Sequence, residues 1–581
     1  MNAAQKAMEK FSAQMQAGQF AAAAKTATAA AKKFPKEAGF ANAAGAAHAR
    51  AENYALAVTF FNKALSLAPG DPATQDNLLR ALISAGRAEK ALEQIAKLEP
   101  KRANKVGLWV LKANALMQRG DAAGVIETAT QILEVAPDHP EALSLRGTAH
   151  DTLKQDDEAI ADFQRFFDLT GDPAGLVNLA DPLTRRHRPE DALAALEQAV
   201  SMTPDDARAQ RFLAIQLKQM GRIAESNEAY RRLIALNPQD TGSYRALVSS
   251  QSADENAALK PTLEALLTKL PRKDTEGHAY LNLALGNICL QTGDQDAAAT
   301  YLARGNALFA KASPYQKSAA DAEFSAITAT FTPDHQPDPA AGDKAQPRPF
   351  FIIGQPRSGT TLSEMILSAH PDVASCGEMI SASAVLQKDV IDAGGNAAKL
   401  ATAYRKELPP DARDAAMFVD KMPQNYRFVG YLLDAFPEAR FLHLTRDPRD
   451  VALSMWREHF AADWMNFTLD LKAMAYQANL YKRYMQHWTT LYPDRILTLD
   501  YSDVVADVAG CSRRIAEFAN LDWVPEMAAP EKNTAIVRSA SLSQVRQKVH
   551  SKSVGGWRRL EKALAPFCEG LDPTLWPEID L

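Results

Sequence analysis

"FFIIGQPRSGTTLSEMILSAHP", residues 350–371, reads as three pieces in succession. The apolar run Phe350 to Ile353 has the make-up of a buried strand. A turn of small and polar residues follows, Gly354-Gln355-Pro356-Arg357-Ser358-Gly359, and then Leu362, Met365, Ile366 and Ala369 recur at helical spacing. Strand, small-residue loop and helix start is the layout of a phosphate-binding loop. The G-x-x-x-x-G-K-[ST] spacing of nucleotide triphosphatases holds from Gly354 to Gly359 and on to Thr361, but threonine stands at 360 where that pattern has lysine. The loop carries its cation earlier, at Arg357.

A chain of 581 residues is too long for one ordinary core and predicts two or more domains. A net charge of −5, with 23% charged residues and no long basic run, argues against nucleic acid as a partner. The start, "MNAAQKAMEKFSAQM", lacks the apolar core of a signal peptide, and no stretch of about 18 apolar residues follows. The expectation is a cytoplasmic protein without a membrane segment. Cys289, Cys376, Cys511 and Cys568 are far apart and form no C-x-x-C pair, so free thiols are expected, with no zinc site or disulfide framework.

The two parts of the chain differ in grammar. The first 330 residues are alanine-rich and hold one tryptophan, Trp109; the other six lie after residue 450. Pro35, Pro69, Pro100, Pro137, Pro173, Pro204, Pro238 and Pro271 recur at intervals of 34, 31, 37, 36, 31, 34 and 33. A period near 34 built from helix pairs is the tetratricopeptide (TPR) signature. "YALAVTFFNKALSLAPGD" puts Ala57, Phe61 and Ala64 on a packing face ended by Pro69, and "EDALAALEQAVSMTPDD" repeats this with Ala192, Ala199 and Pro204. Trp109 and Gly120 fall where such a unit favours an aromatic residue and a turn glycine. Seven to nine units are expected over residues 4–312, the segment after Pro238 fitting worst. Arrays of this kind present a groove to proteins or peptides, an expectation that rests on fold-level analogy. Residues 331–349 hold five prolines in nineteen positions and read as a linker.

Beyond it, four strand candidates, 350–353, 417–421, 440–445 and 495–500, alternate with helical patterns. Each runs directly into polar residues: the loop with Arg357, Ser358, Thr360 and Thr361; Lys421; Arg446-Asp447-Pro448-Arg449; and Tyr501. In an open parallel sheet, groups just past the strands' carboxyl ends gather on one rim, which here would be an anion site. The predicted fold is thus an α-helical TPR solenoid (1–330), a proline-rich linker (331–348) and an α/β, P-loop-like domain with a mainly parallel central sheet (349–581).

The motifs on that rim carry a resemblance. "GQPRSGTT" resembles the 5′-phosphosulfate loop of sulfotransferases that use 3′-phosphoadenosine 5′-phosphosulfate (PAPS), and "LTRDPRDVALSMW" resembles their 3′-phosphate motif, with Arg446 and Ser454 eight residues apart. "HPDVASCGEM" is similar to a segment of the tyrosylprotein type that ends in a Gly-Glu with the catalytic base. The resemblance covers roughly residues 349–581. It implies that Arg357, Ser358, Gly359, Thr360 and Thr361 hold the 5′-phosphosulfate, and that Arg446 and Ser454 hold the 3′-phosphate. It also implies Glu378 as general base, Lys421 and Arg357 as stabilisers of charge at the transferred group, and Tyr501 as a cofactor-binding residue. "SLSQVRQKVHSKSVGGW" resembles the segment that closes over the cofactor, with Ser541 as transition-state serine and Gln544 beside it. Gly556 stands where that group has lysine, and Arg558 is the candidate replacement. No metal is implied. The missing loop lysine is consistent with this chemistry, because a sulfuryl group bears less charge than the end of a triphosphate. Two other readings start from the same residues: a P-loop kinase or ATPase with Asp500 as magnesium ligand, and a TPR adaptor whose second domain is not catalytic.

Overall fold

The computed structural model describes residues 3–336, 342–460, 463–533 and 549–579. By compactness the chain divides into Met1–Pro204 and Asp205–Leu581.

Nineteen α-helices precede residue 331 among the described residues. In the first unit the pair Ala38–Arg50 and Tyr54–Leu67 shows how one repeat closes. Ala57, Phe61 and Ala64 are buried, as the spacing predicts. Gly45 on the first helix lets Phe61 of the second lie where a side chain would be: a Cβ there would sit 2.6 Å from the ring. The same device recurs at Gly147 against Phe163, with a 2.8 Å approach. Gly120 ends its helix in the left-handed conformation at φ 78°, as a turn glycine does. Pairs made of alanine and glycine bring helix axes close, so each unit buries its apolar face on the next.

In the second unit the region after Pro238 opens with the eight-residue helix Thr241–Val248, short for a repeat, in keeping with its poor sequence fit. Gly286 receives Leu302 at 2.7 Å, an aliphatic version of the glycine–aromatic contact. Residues 331–347 contain no helix or strand where described. They are nonetheless held down: Phe331 is fully buried against Tyr431 and Trp488, and Arg405 binds Asp343 at 2.7 Å.

The domain that follows is built on five parallel strands: β1 (Arg348–Gly354), β2 (Val373–Ser375), β3 (Met417–Asp420), β4 (Arg440–Thr445) and β5 (Ile496–Asp500). Their order in the sheet is β2-β3-β1-β4-β5. Four of them match the expected strands. β2 adds a three-residue edge strand, too short to leave a pattern. β1 is central and almost wholly buried, because Phe351 and Ile353 face one apolar cluster and Phe350 and Ile352 the other. The first cluster also takes in Leu283, Leu302, Ile327 and Phe331, so helices before residue 331 share the core of the sheet domain. Register then aligns the rim: Gly354 pairs with Leu444, and Thr445 with Asp500, bringing the ends of β1, β4 and β5 level.

Candidate anion and transfer site at the sheet rim

Between β1 and helix Thr360–Leu367 the loop turns through Arg357 at φ 71° and Gly359 at φ 108°. A Cβ on Gly359 would lie 2.4 Å from the Tyr501 ring, so glycine is needed both for its backbone and for this approach. The helix N-terminus behind it turns its first amides toward the loop. Ser358, 1% exposed, has a buried Oγ with no hydrogen-bond partner among the described residues, as expected of a group shaped to meet a ligand oxygen. Thr360 and Thr361 are buried on the first turn.

Arg357 Nε donates to Ser454 Oγ at 3.0 Å, joining the loop to helix Pro448–Trp456. Arg446 donates through Nη1 to the Arg357 carbonyl at 2.9 Å and through Nη2 to the Ser553 carbonyl at 2.6 Å. Its guanidinium lies 4.5 Å from the Tyr501 ring centre, and Tyr501 Oη meets Ser553 Oγ at 2.9 Å. Neither neighbouring aspartate holds Arg446. Asp447 is engaged by Arg449, and Asp450 accepts the Gly555 and Trp557 amides at 2.7 and 2.9 Å. The segment around Gly556 is thus anchored by Asp450. Arg558, the expected replacement for the lysine at that position, is exposed and lies over its neighbour Trp557 at 5.0 Å, and its described contacts do not make it a clamp. Ser541 and Gln544 lie outside the described residues.

The second group forms where β2 and β3 end. Lys421, 1% exposed, donates to Glu378 Oε1 at 2.5 Å. On its other side, 4.0 Å away, is Glu364 of the loop helix, which accepts from Ser375 Oγ at 2.7 Å. Burial raises the pKa of Glu364. For Lys421 burial acts to lower the pKa, but the carboxylates of Glu378 and then Glu364 outweigh it, and the ammonium is held above its ordinary value. Asp420, fully buried and pushed up to about 8 by that burial, accepts from Tyr404 Oη, from Asn425 Nδ2 and from the Met379 amide at 3.1 Å. It thereby fixes the backbone next to Glu378. Arg357 is near enough to feel Glu378: burial lowers its pKa, and Glu458 and, more weakly, Glu378 act against that.

Most of the residues expected at the site are therefore gathered on one rim: Arg357, Ser358, Gly359, Thr360, Thr361, Arg446, Ser454 and Tyr501 around the loop, with Lys421 and Glu378 as a linked pair beside it. Glu364 and Asp420 belong to no motif of the sequence. A signal for Glu364 exists, since it is the single charge in the otherwise apolar or small-polar stretch Thr360–Leu367. Two cavities adjoin the loop. Arg357 borders one of about 810 Å³, and Ser358 and Arg446 border another of about 360 Å³.

Residues 349–525 match the sulfotransferase family model. Tetratricopeptide-repeat models match residues 8–72, 110–171 and 183–250. An uncharacterised protein of Aquifex aeolicus is 27% identical over 407 residues, which make up 67% of this chain and 53% of that protein. A protein-tyrosine sulfotransferase of Drosophila melanogaster is 25% identical, with 30% of this chain and 38% of that protein covered. Protein-tyrosine sulfotransferase 1 of Danio rerio is 26% identical, with 34% and 59% covered. The chain thus spans about half or less of the length of the first two of these relatives. A solved TPR protein of Thermus thermophilus is 21% identical over 31% of this chain and 98% of its own, at a TM-score of 0.28. The chain thus carries tetratricopeptide-repeat matches followed by a match to a sulfotransferase-family domain, and its C-terminal part is weakly similar to protein-tyrosine sulfotransferases.

Proposed function

We propose that this protein is a PAPS-dependent sulfotransferase, in which residues 349–581 act as the catalytic domain and the repeats of residues 1–330 recruit a protein, peptide or other bulky acceptor, with 331–348 joining the two. The observation that carries the reading is the pairing of a lysine-free phosphate-type loop with an ion pair between buried Lys421 and exposed Glu378 on the same sheet rim. A triphosphate-hydrolysing loop would place its lysine at position 360. PAPS bound there supplies a sulfuryl group: the S–O bond to the acceptor oxygen forms as the bond to the 5′-phosphate oxygen breaks, leaving adenosine 3′,5′-bisphosphate.

In this reading the loop amides and Ser358 Oγ hold the oxyanion end of the nucleotide, and Arg357 faces the charge that builds during transfer. Arg446 and Ser454, already in contact with the Arg357 backbone and side chain, hold the second phosphate. Glu378 takes the acceptor's hydroxyl proton, and its 37% side-chain exposure leaves it open to an incoming group. Lys421 orients Glu378 and offers its charge to the departing oxygen.

Isothermal titration with adenosine 3′,5′-bisphosphate tests this directly. Saturable binding is expected, weakened about ten-fold or more by Arg446→Ala, since that change removes a charged phosphate contact. An absence of nucleotide binding by the folded wild-type chain overturns the proposal.

A further inference from the structure

The 810 Å³ cavity bordered by Arg357 is walled largely by helices that precede the sheet domain. Ala207–Gln219 contributes Lys218, Thr241–Val248 contributes Arg245, and Thr275–Thr292 contributes Asn287. The residues after helix Pro448–Trp456, chiefly Arg457 and Glu458, complete it. These two sides are fastened together. Asn287 Nδ2 donates to the Arg457 carbonyl at 3.0 Å, Arg457 Nε donates back to Asn287 Oδ1 at 2.8 Å, and Arg245 Nη2 donates to the His459 carbonyl at 3.3 Å. The wall is part of the same structure that carries the Ser454 helix.

Around Glu458 the cavity gathers more cations than carboxylates. Burial lowers the pKa of Lys218, Arg357 and Arg457, and for all three Glu458 is the strongest opposing charge. Glu458 is also the carboxylate 3.8 Å from Arg245. Four cations thus converge on Glu458. The lining also holds Asp240, paired with Arg211 at 2.7 Å, Asp274, which caps its helix at the Gly277 amide, and Glu276, which bonds Tyr280. Half-buried positive charge with one nearby carboxylate favours an anion in this cavity.

We propose that this cavity receives the sulfate acceptor, and that Lys218, Arg245 and Arg457 hold an anionic group borne by the acceptor (a carboxylate, sulfate or phosphate) while its hydroxyl is presented beside Arg357. The helices at residues 207–292 then select the acceptor as a wall of the reaction cavity, beyond any recruitment by the repeats. This rests on the sulfotransferase reading above.

The same cations would suit a phosphate of the nucleotide, so the test separates the two sources. The full chain is first saturated with adenosine 3′,5′-bisphosphate, and inorganic phosphate is then titrated in by calorimetry. Saturable phosphate binding is expected, weakened about ten-fold by Lys218→Met and strengthened several-fold by Glu458→Gln, because one removes a cation and the other the shared carboxylate. Opposite signs for the two variants are not produced by a general loss of structure. No phosphate binding to the nucleotide-loaded chain overturns the inference, as does a matching ten-fold loss of nucleotide affinity in Lys218→Met. Failure of the nucleotide itself to bind overturns the sulfotransferase reading instead.

Discussion

Lys421 is held by opposite charges on both sides, and that arrangement sets its response to substitution. Replacing it with methionine leaves Glu364, 3% exposed, facing Glu378 with no cation between them. Removing one partner of a buried pair costs about 3 kcal/mol, so Lys421→Met should lower the denaturant midpoint markedly at pH 8. The loss should shrink as the pH is lowered, because burial has raised the pKa of Glu364 and its protonation removes the uncompensated charge. Adding Glu364→Gln should restore most of the stability and none of the transfer activity. Equal loss in the single and double variants would contradict the pairing. Arg357 makes the converse case. It is a non-glycine residue at φ 71°, with a guanidinium whose charge is disfavoured by burial. Arg357→Gly should therefore raise stability by about 1 kcal/mol, read as a higher melting temperature, while abolishing turnover. A lower melting temperature would mean that the Ser454 hydrogen bond outweighs the backbone strain.

β4 links the sheet to the long helix Leu471–Leu491 through one buried histidine. His443 Nε2 meets Tyr481 Oη at 2.5 Å and Nδ1 meets Thr498 Oγ1 at 3.1 Å. Burial, aided slightly by the charge of Lys482, lowers its pKa to about 3. The native imidazole stays neutral while the unfolded chain, with an ordinary value near 6.5, gains a proton as the medium is acidified. The stability this residue supports is present above pH 6.5 and is lost as the pH falls toward 3, at up to about 1.4 kcal/mol per pH unit. In His443→Gln the curve of unfolding free energy against pH should be flatter than wild type over that range; parallel curves would show the histidine is not the titrating group. The strands themselves were largely legible in the sequence because each is an apolar run ending in polar residues. β2 was not, since three residues carry no periodicity. The rim loop was legible from its glycine spacing alone. Glu364 left only a lone charge in an apolar stretch and Asp420 no signal, because their meaning lies in partners such as Ser375, Tyr404 and Asn425, brought near by sheet pairing that a linear pattern does not express.

The proline-rich stretch is the clearest place where composition and packing diverge. Five prolines mark residues 331–349 as unable to continue a helix, yet one apolar cluster takes in residues on both sides of this segment. Phe331 sits fully buried between Tyr431 and Trp488, at ring-centre distances of 4.7 and 5.5 Å, and Gly430 has no side chain where its ring lies, a Cβ there being 2.5 Å from it. Ile327, Leu302 and Leu283 extend the same cluster backward into the helical region. Proline reports local backbone freedom, whereas the extent of a cooperative unit depends on shared apolar surface. Phe331→Ala in the full chain should therefore cost about 3–4 kcal/mol, the range for a buried aromatic that leaves a cavity. A chain starting at residue 349 loses Phe331 and the helices behind it, while one starting at residue 205 keeps the compact second unit intact. Urea unfolding followed by tryptophan fluorescence, which reads Trp488 in this cluster, should give the 349–581 chain a clearly lower midpoint than the 205–581 chain, or yield it only as aggregate. Equal midpoints would show that the helices before residue 331 contribute nothing to the sheet domain's core.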